Sequence, residues 1–187
     1  MAVLLLHKQD KNDCSDMNRT MSNEIDTYGI PEDYWGALDP EAEEELKKAS
    51  LSYPDKRKVL YHLSRAFEKA GAHMTVLIGM YRFYFYQSDL QKSLYWGKRC
   101  VAQAAKKLGI SENWEKLTEE HRNRLRKEES PLVDLYLRAF HAVAYLLGRL
   151  GKKEEALKML ELLCQIDESK QLGAERLVGI LMAEENS

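Results

Sequence analysis

His62, His73, His121 and His141, together with Cys100 and Cys164, are the imidazole and thiol side chains in the body of this chain that could ligate a metal or attack as nucleophiles. A helical zinc site needs ligands at close intervals, as in His-x-x-x-His or His-Glu-x-x-His, because only then do two imidazoles share a helix face. No such spacing occurs, and no cysteine stands at ligand distance from a histidine. Cys100 and Cys164 fall on apolar helical stripes, where a free thiol behaves as a small hydrophobe. Neither has a flanking histidine or a helix N-terminus to lower its pKa. Glu41, Glu43, Glu44 and Glu45 are dense in carboxylate but read as a solvated first helical turn rather than an acid/base pair. Phosphate-cradling loops of the Gly-x-Gly-x-x-Gly or Gly-x-x-x-x-Gly-Lys kind are absent. The basic run His121 to Lys127 is bracketed by Glu119, Glu120, Glu128 and Glu129, with Glu120 and Arg124 an i,i+4 pair, so it reads as a solvated helix face. The expectation is a chain with no catalytic residue, no bound metal and no cofactor.

The elements that would position any binding residues are helices. Asp39-Pro40-Glu41 is a helix start, with Asp able to cap and Pro at the first helical position. Val59, Leu60, Leu63, Ala66, Phe67 and Ala70 form one apolar stripe ending at Gly71, and Met74, Leu77, Ile78, Tyr81 and Phe85 form the next. That second helix stops near Gln87-Ser88-Asp89, where Ser88 with Gln91 three residues on makes a capping-box pattern. Leu90, Leu94, Val101, Ala104, Ala105 and Leu108 give a third stripe closed by Gly109. Ser111 opens an insertion, near 111–129, carrying Trp114, Leu117 and Leu125. Ser130-Pro131 begins a further helix, and Gln171 to Ala183 supplies a last one with Leu172, Leu177, Ile180 and Leu181 inward. The fold class is all-α. Residues 1–38 read as a polar tail with a short aromatic docking segment at Tyr34 and Trp35, and 39–187 as the helical domain.

Tyr81-Arg82-Phe83-Tyr84-Phe85-Tyr86 places five rings in six positions, so its aromatics must point all around a helix. Such a helix is either enclosed on both sides or lines a partner groove. It is not an RNA-reading strand, since the glycine of that motif is missing and the flanks are helical.

The stretch Leu147 to Leu157, followed by Met159, Leu160 and Leu163, is a tight αα-hairpin around Gly151. With Phe140, Val143 and Ala144 upstream it resembles a tetratricopeptide repeat, a unit of about 34 residues made of two helices. Phe140 stands at the first-helix tryptophan, Leu147 at the tyrosine, Ala156 at the small residue of the second helix and Leu160 at its aromatic. Glu168 replaces the closing proline, and Leu163 is larger than the usual alanine. A second match runs from Thr75 to about Lys107, with Leu77, Met80, Tyr84, Ser93, Gly97 and Cys100, but Tyr81 where the family wants Gly or Ala. The resemblance implies a right-handed stack of antiparallel helix hairpins with a concave, partner-binding face. Transferred onto this chain, that face would carry Arg82, Phe85 and Tyr86 beside Arg138, His141, Tyr145 and Arg149. Those side chains suit a peptide carrying carboxylates, through guanidinium forks and ring contacts. The alternative is that the arginines pair internally with glutamates of neighbouring helices, and both stay open here.

A narrower resemblance is carried by Tyr81 to Leu90, Arg99-Cys100 and Lys107-Leu108-Gly109, which are similar to small repeat-type proteins associated with nitrogen-fixation gene sets. It implies an accessory factor that helps a metalloenzyme or its maturation proteins without holding the metal. The general expectation is an adaptor or assembly helper whose partner is another protein or peptide, with acidic segments the favoured kind and self-association open. A small helical enzyme of unrecognised type is the alternative class.

Composition narrows the rest. A net charge of −2 over 187 residues lacks the basic footprint of nucleic-acid binding and gives no pull toward anionic membranes. Three widely spaced cysteines, an odd number without Cys-x-x-Cys, fit a reducing compartment, so a cytoplasmic location is expected. Met1 to Leu6 is apolar but shorter than a signal-peptide core.

Overall fold

The structure is a computed structural model that describes residues 35–167 and 172–183. The predicted tail up to Tyr34, and the predicted start of the last helix at Gln171, lie outside the described residues. Those described form eight α-helices and a short 3-10 turn, with no strand among them.

Helix α1 (Pro40–Leu51) begins where the sequence requires: Asp39 accepts hydrogen bonds from the Glu41 and Ala42 amides at 2.9 and 3.1 Å, and Pro40 takes the first helical position, which needs no amide hydrogen. Asp55 caps α2 (Lys56–Ala70) in the same manner. Ala42, Leu46 and Ala49 of α1 and Val59, Leu63 and Ala66 of α2 recur at i, i+4 and i+7, so each helix turns one stripe to the other. At the edge of that seam His62 Nδ1 and Glu45 Oε2 lie 2.8 Å apart.

Helices α3 (Met74–Tyr86) and α4 (Leu90–Leu108) make the second hairpin. The cap of α4 is Asp89, which accepts from the Lys92 amide at 3.2 Å, and not Ser88. Ser88 instead turns the chain, with a positive φ of 58°. Gly109, at φ 67°, ends α4 in the left-handed conformation that a side chain resists. Ser130 caps α6 (Pro131–Arg149), which pairs with α7 (Lys153–Ile166), and α8 (Ala174–Ala183) closes over both. The broad helix interfaces are α1 on α2, α3 on α4, α4 on α6 and α6 on α7. Ile180, expected to point inward on α8, is 47% exposed, whereas Leu181 is buried against Gly148.

Two apolar clusters result. One joins α1, α2 and Val76, Met80 and Phe83 of α3; the other takes Met74 and Leu77 of α3 together with α4 and everything after it. Helix α3 is therefore packed on both sides, which explains why its sequence is apolar all round. Gly97 marks a close convergence of three helices: a Cβ there would stand 3.2 Å from Val143 of α6 and 3.4 Å from the Tyr81 ring of α3.

The insertion comprises the 3-10 turn Trp114–Lys116 and α5 (Glu119–Lys127). Its arginines are not a solvated face alone. Arg124 donates to the Leu108 carbonyl at the end of α4, and Arg126 to the Gln165 carbonyl near the end of α7 at 3.2 Å. Both fasten α5 to helix C-termini, where unsatisfied carbonyls favour a cation. Arg124 pairs with Glu128 at 2.6 Å rather than with Glu120. Ahead of α1, Trp35 packs against the larger cluster beneath the Lys107 ammonium, 5.7 Å from the ring centroid.

Candidate functional site: a cationic and aromatic ridge across α3 and α6

Arg82, Phe85 and Tyr86 follow from the last turn of α3, and Tyr145 and Arg149 from the last two turns of α6. The short connections after these helices leave those ends uncovered by long loops. The Arg82 guanidinium lies 5.9 Å from the Tyr86 ring centroid, with Nη2 3.5 Å from its hydroxyl. Tyr86 meets Phe85 edge to face at 5.9 Å, and Phe85 reaches Tyr145 of the next hairpin at 6.4 Å. Arg149 donates to the Tyr145 hydroxyl at 2.7 Å and lies 5.7 Å from the centre of that ring. Five side chains thus make one continuous ridge from α3 to α6, in an order a sequence pattern does not supply.

Exposure along the ridge is uneven. Tyr86 is 43% exposed and Arg149 is exposed, while Phe85 and Tyr145 are half-buried. Among the described residues Arg149 has no carboxylate partner, and its exposed guanidinium is held against a ring. Arg82 is only 9% exposed and is engaged by neighbours beyond Tyr86. Arg138 donates through Nε to Asp134 at 2.7 Å, one turn earlier on α6, and has further contacts. Arg138 is thus paired internally, but with an aspartate of its own helix, whereas the alternative named glutamates of neighbouring helices.

His141 leaves the ridge. On a helix of 3.6 residues per turn it lies about 60° around from the line through Arg138, Tyr145 and Arg149, toward the core. It is 8% exposed, with Nε2 buried and without a hydrogen-bond partner. Desolvation pushes its pKa below the ordinary histidine value, and the Asp167 carboxylate offsets part of that shift. A buried neutral imidazole cannot meet an incoming carboxylate.

Tyr53 belongs near the ridge and was not legible in the sequence. It sits in the turn between α1 and α2, its hydroxyl is buried without a partner, and burial raises its pKa, with Tyr86 adding to the shift and Arg82 opposing it. No periodicity marks a turn tyrosine, so only the packing of the first two hairpins reveals it.

The thiol of Cys100 is fully enclosed and pushed up to about 12 by desolvation, which makes it unreactive at neutral pH. Among the described residues no group of three or more His, Cys, Asp or Glu could hold a metal ion, and no helix is long and apolar enough to cross a membrane.

Comparison with known proteins gives one informative relative. An uncharacterized 19.8 kDa protein in the nifW 5′ region of Azotobacter chroococcum mcd 1 is 32% identical over 108 residues, or 58% of this chain and 60% of that protein. The chain thus spans about 60% of the length of the curated relative it matches. No family model matches the chain. No solved structure matches it.

Proposed function

We propose that this chain is a non-catalytic interaction module, a stack of antiparallel helix hairpins of the tetratricopeptide kind, that serves nitrogen fixation as an adaptor or assembly helper. The observation that carries the reading is the ridge itself: rings and guanidinium groups continue from one hairpin to the next, ending in the exposed Tyr86 and in Arg149, which has no carboxylate partner among the described residues. Tyrosine and arginine on a rigid surface supply large contact area at low entropic cost, which is why they dominate binding hot spots. A partner segment with a carboxylate would pair with Arg149 and cover Tyr145 and Tyr86. The genomic setting named for the nifW-region relative supports placing the partner among nitrogen-fixation proteins. Location in the cytoplasm, from the cysteine pattern, is part of the same proposal.

Deletion of the gene should slow growth on dinitrogen and leave growth on ammonium unchanged. Capture of nitrogen-fixation proteins by the tagged chain should weaken for Tyr86→Ala with Arg149→Ala by roughly tenfold or more, while the melting curve stays put because neither loss opens a core cavity. Raised salt should reproduce part of the loss, since exposed charge contacts are screened within about 8–10 Å. Equal growth defects on both nitrogen sources would overturn the nitrogen-fixation setting, and undiminished capture by the double variant would overturn the ridge.

A further inference from the structure

On the far side of the insertion, α5 and the 3-10 turn stand off from α7 and leave an open groove of about 390 Å³. Its floor is apolar, from the half-buried Trp114 and the buried Leu162. Trp114 is fixed by an edge-to-face contact with Phe140, ring centroids 5.9 Å apart. Its wall is α5, immobilised by the Arg124 and Arg126 bonds to the ends of α4 and α7. Between wall and floor lies Arg122. Unlike Arg124 and Arg126, it has no carbonyl or carboxylate partner among the described residues, and its Nε is buried with no hydrogen bond. A guanidinium N–H left unpaired is costly, so an acceptor that enters the groove and turns the Arg122 fork toward it would relieve that cost.

The rim says what else the occupant must carry. Glu115 and Glu161 line the groove as exposed carboxylates, and the Lys158 ammonium, bonded to Glu154 at 2.7 Å, is within electrostatic reach of both. A run of acidic residues would meet repulsion there, whereas one carboxylate between basic neighbours meets a complementary charge at each point.

We propose that this groove binds a segment of a protein partner that presents a single carboxylate beside an apolar or aromatic side chain, flanked by Lys or Arg. The carboxylate pairs with Arg122, the apolar side chain lies on Trp114 and Leu162, and the basic flank meets Glu115 and Glu161. The site is separate from the α3 and α6 ridge and does not depend on it.

The test is a titration of the full chain, labelled with nitrogen-15, with the acetylated and amidated pentapeptide Lys-Phe-Glu-Leu-Lys, following the indole N–H of Trp114 and the Nε–H of Arg122. Both signals should shift saturably. Affinity should fall roughly tenfold or more when the peptide carries Gln for Glu, or when the protein carries Arg122→Gln. Arg122→Lys should fall in between, and Tyr86→Ala with Arg149→Ala should change nothing. Should Arg122→Gln fail to fold, the Glu and Gln peptides still compare on the unaltered chain. Absence of saturable shifts into the millimolar range, or equal affinity for the two peptides, overturns the proposal. So does the same response to sodium propionate alone, which would mark a small-carboxylate pocket, or to raised protein concentration alone, which would mark a second copy in the groove.

Discussion

His141 and Cys100 are the two reactive side chains whose chemistry the fold suppresses. For His141 the folded pKa lies below the ordinary value of 6.5, because burial disfavours the imidazolium. A base with a depressed folded pKa contributes stability that is complete above its unfolded pKa and is lost as pH falls from there toward the folded pKa. Urea midpoints should therefore drop as pH falls through and below about 6.5, and the drop should be smaller in His141→Leu, which removes the titrating group and its unpaired Nε2. An identical slope in the variant would place the loss elsewhere. Cys100, at about 12, is predicted to resist iodoacetamide in the native protein at neutral pH and to react on unfolding, read by mass spectrometry of its peptide. At this scale the sequence was a good guide to the thiol, which lies on an apolar stripe. It misplaced His141, because a difference of about 60° around a helix separates an open face from a core and depends on which neighbours arrive.

The helices were legible because their ends are marked by side-chain chemistry that acts locally. Asp39 with Pro40, and Ser130 with Pro131, satisfy amide groups that no other part of the helix can satisfy. The choice of Asp89 over Ser88 as the cap of α4 turned on one residue of turn geometry, which a four-residue pattern cannot decide. Packing between helices gives two predictions. Gly97→Val should cost on the order of 1–3 kcal/mol, since the new methyls would press on Val143 and Tyr81 where three helices converge. Ala156→Leu should cost a similar order, roughly 1–3 kcal/mol, because Ala156 and Ala144 are both fully buried in one cluster within the α6 and α7 hairpin. Denaturant unfolding measures both, and a neutral result at Ala156 would remove the main support for the repeat-like packing. The arginines of α5 were read as a solvated face for a plain reason: their acceptors are carbonyls 16 and 39 residues away in sequence.

Across the whole molecule, α3 ties two cores together, so the chain is expected to unfold as one unit. Melts followed by helical circular dichroism and by tryptophan fluorescence should coincide, and two separated transitions would show that the α1 and α2 cluster opens on its own. The all-helical class and the caps at Asp39 and Ser130 were contained in the sequence, because each depends on residues within a few positions of one another, whereas enclosure of the aromatic helix was decided by the two clusters that pack on it. The ridge proposed as a partner face was contained only in part. Phe85, Tyr86, Tyr145 and Arg149 were named from a resemblance and do form one surface, while Arg138 turned out to be bonded to its own helix and Arg82 to be largely enclosed. Tyr53, the staples of α5 and the unpaired Arg122 had no sequence signal at all. Periodicity fixes which side of a helix is apolar; which polar side chain on the other side finds a partner, and which is left waiting for one, is decided when distant helix ends are brought together.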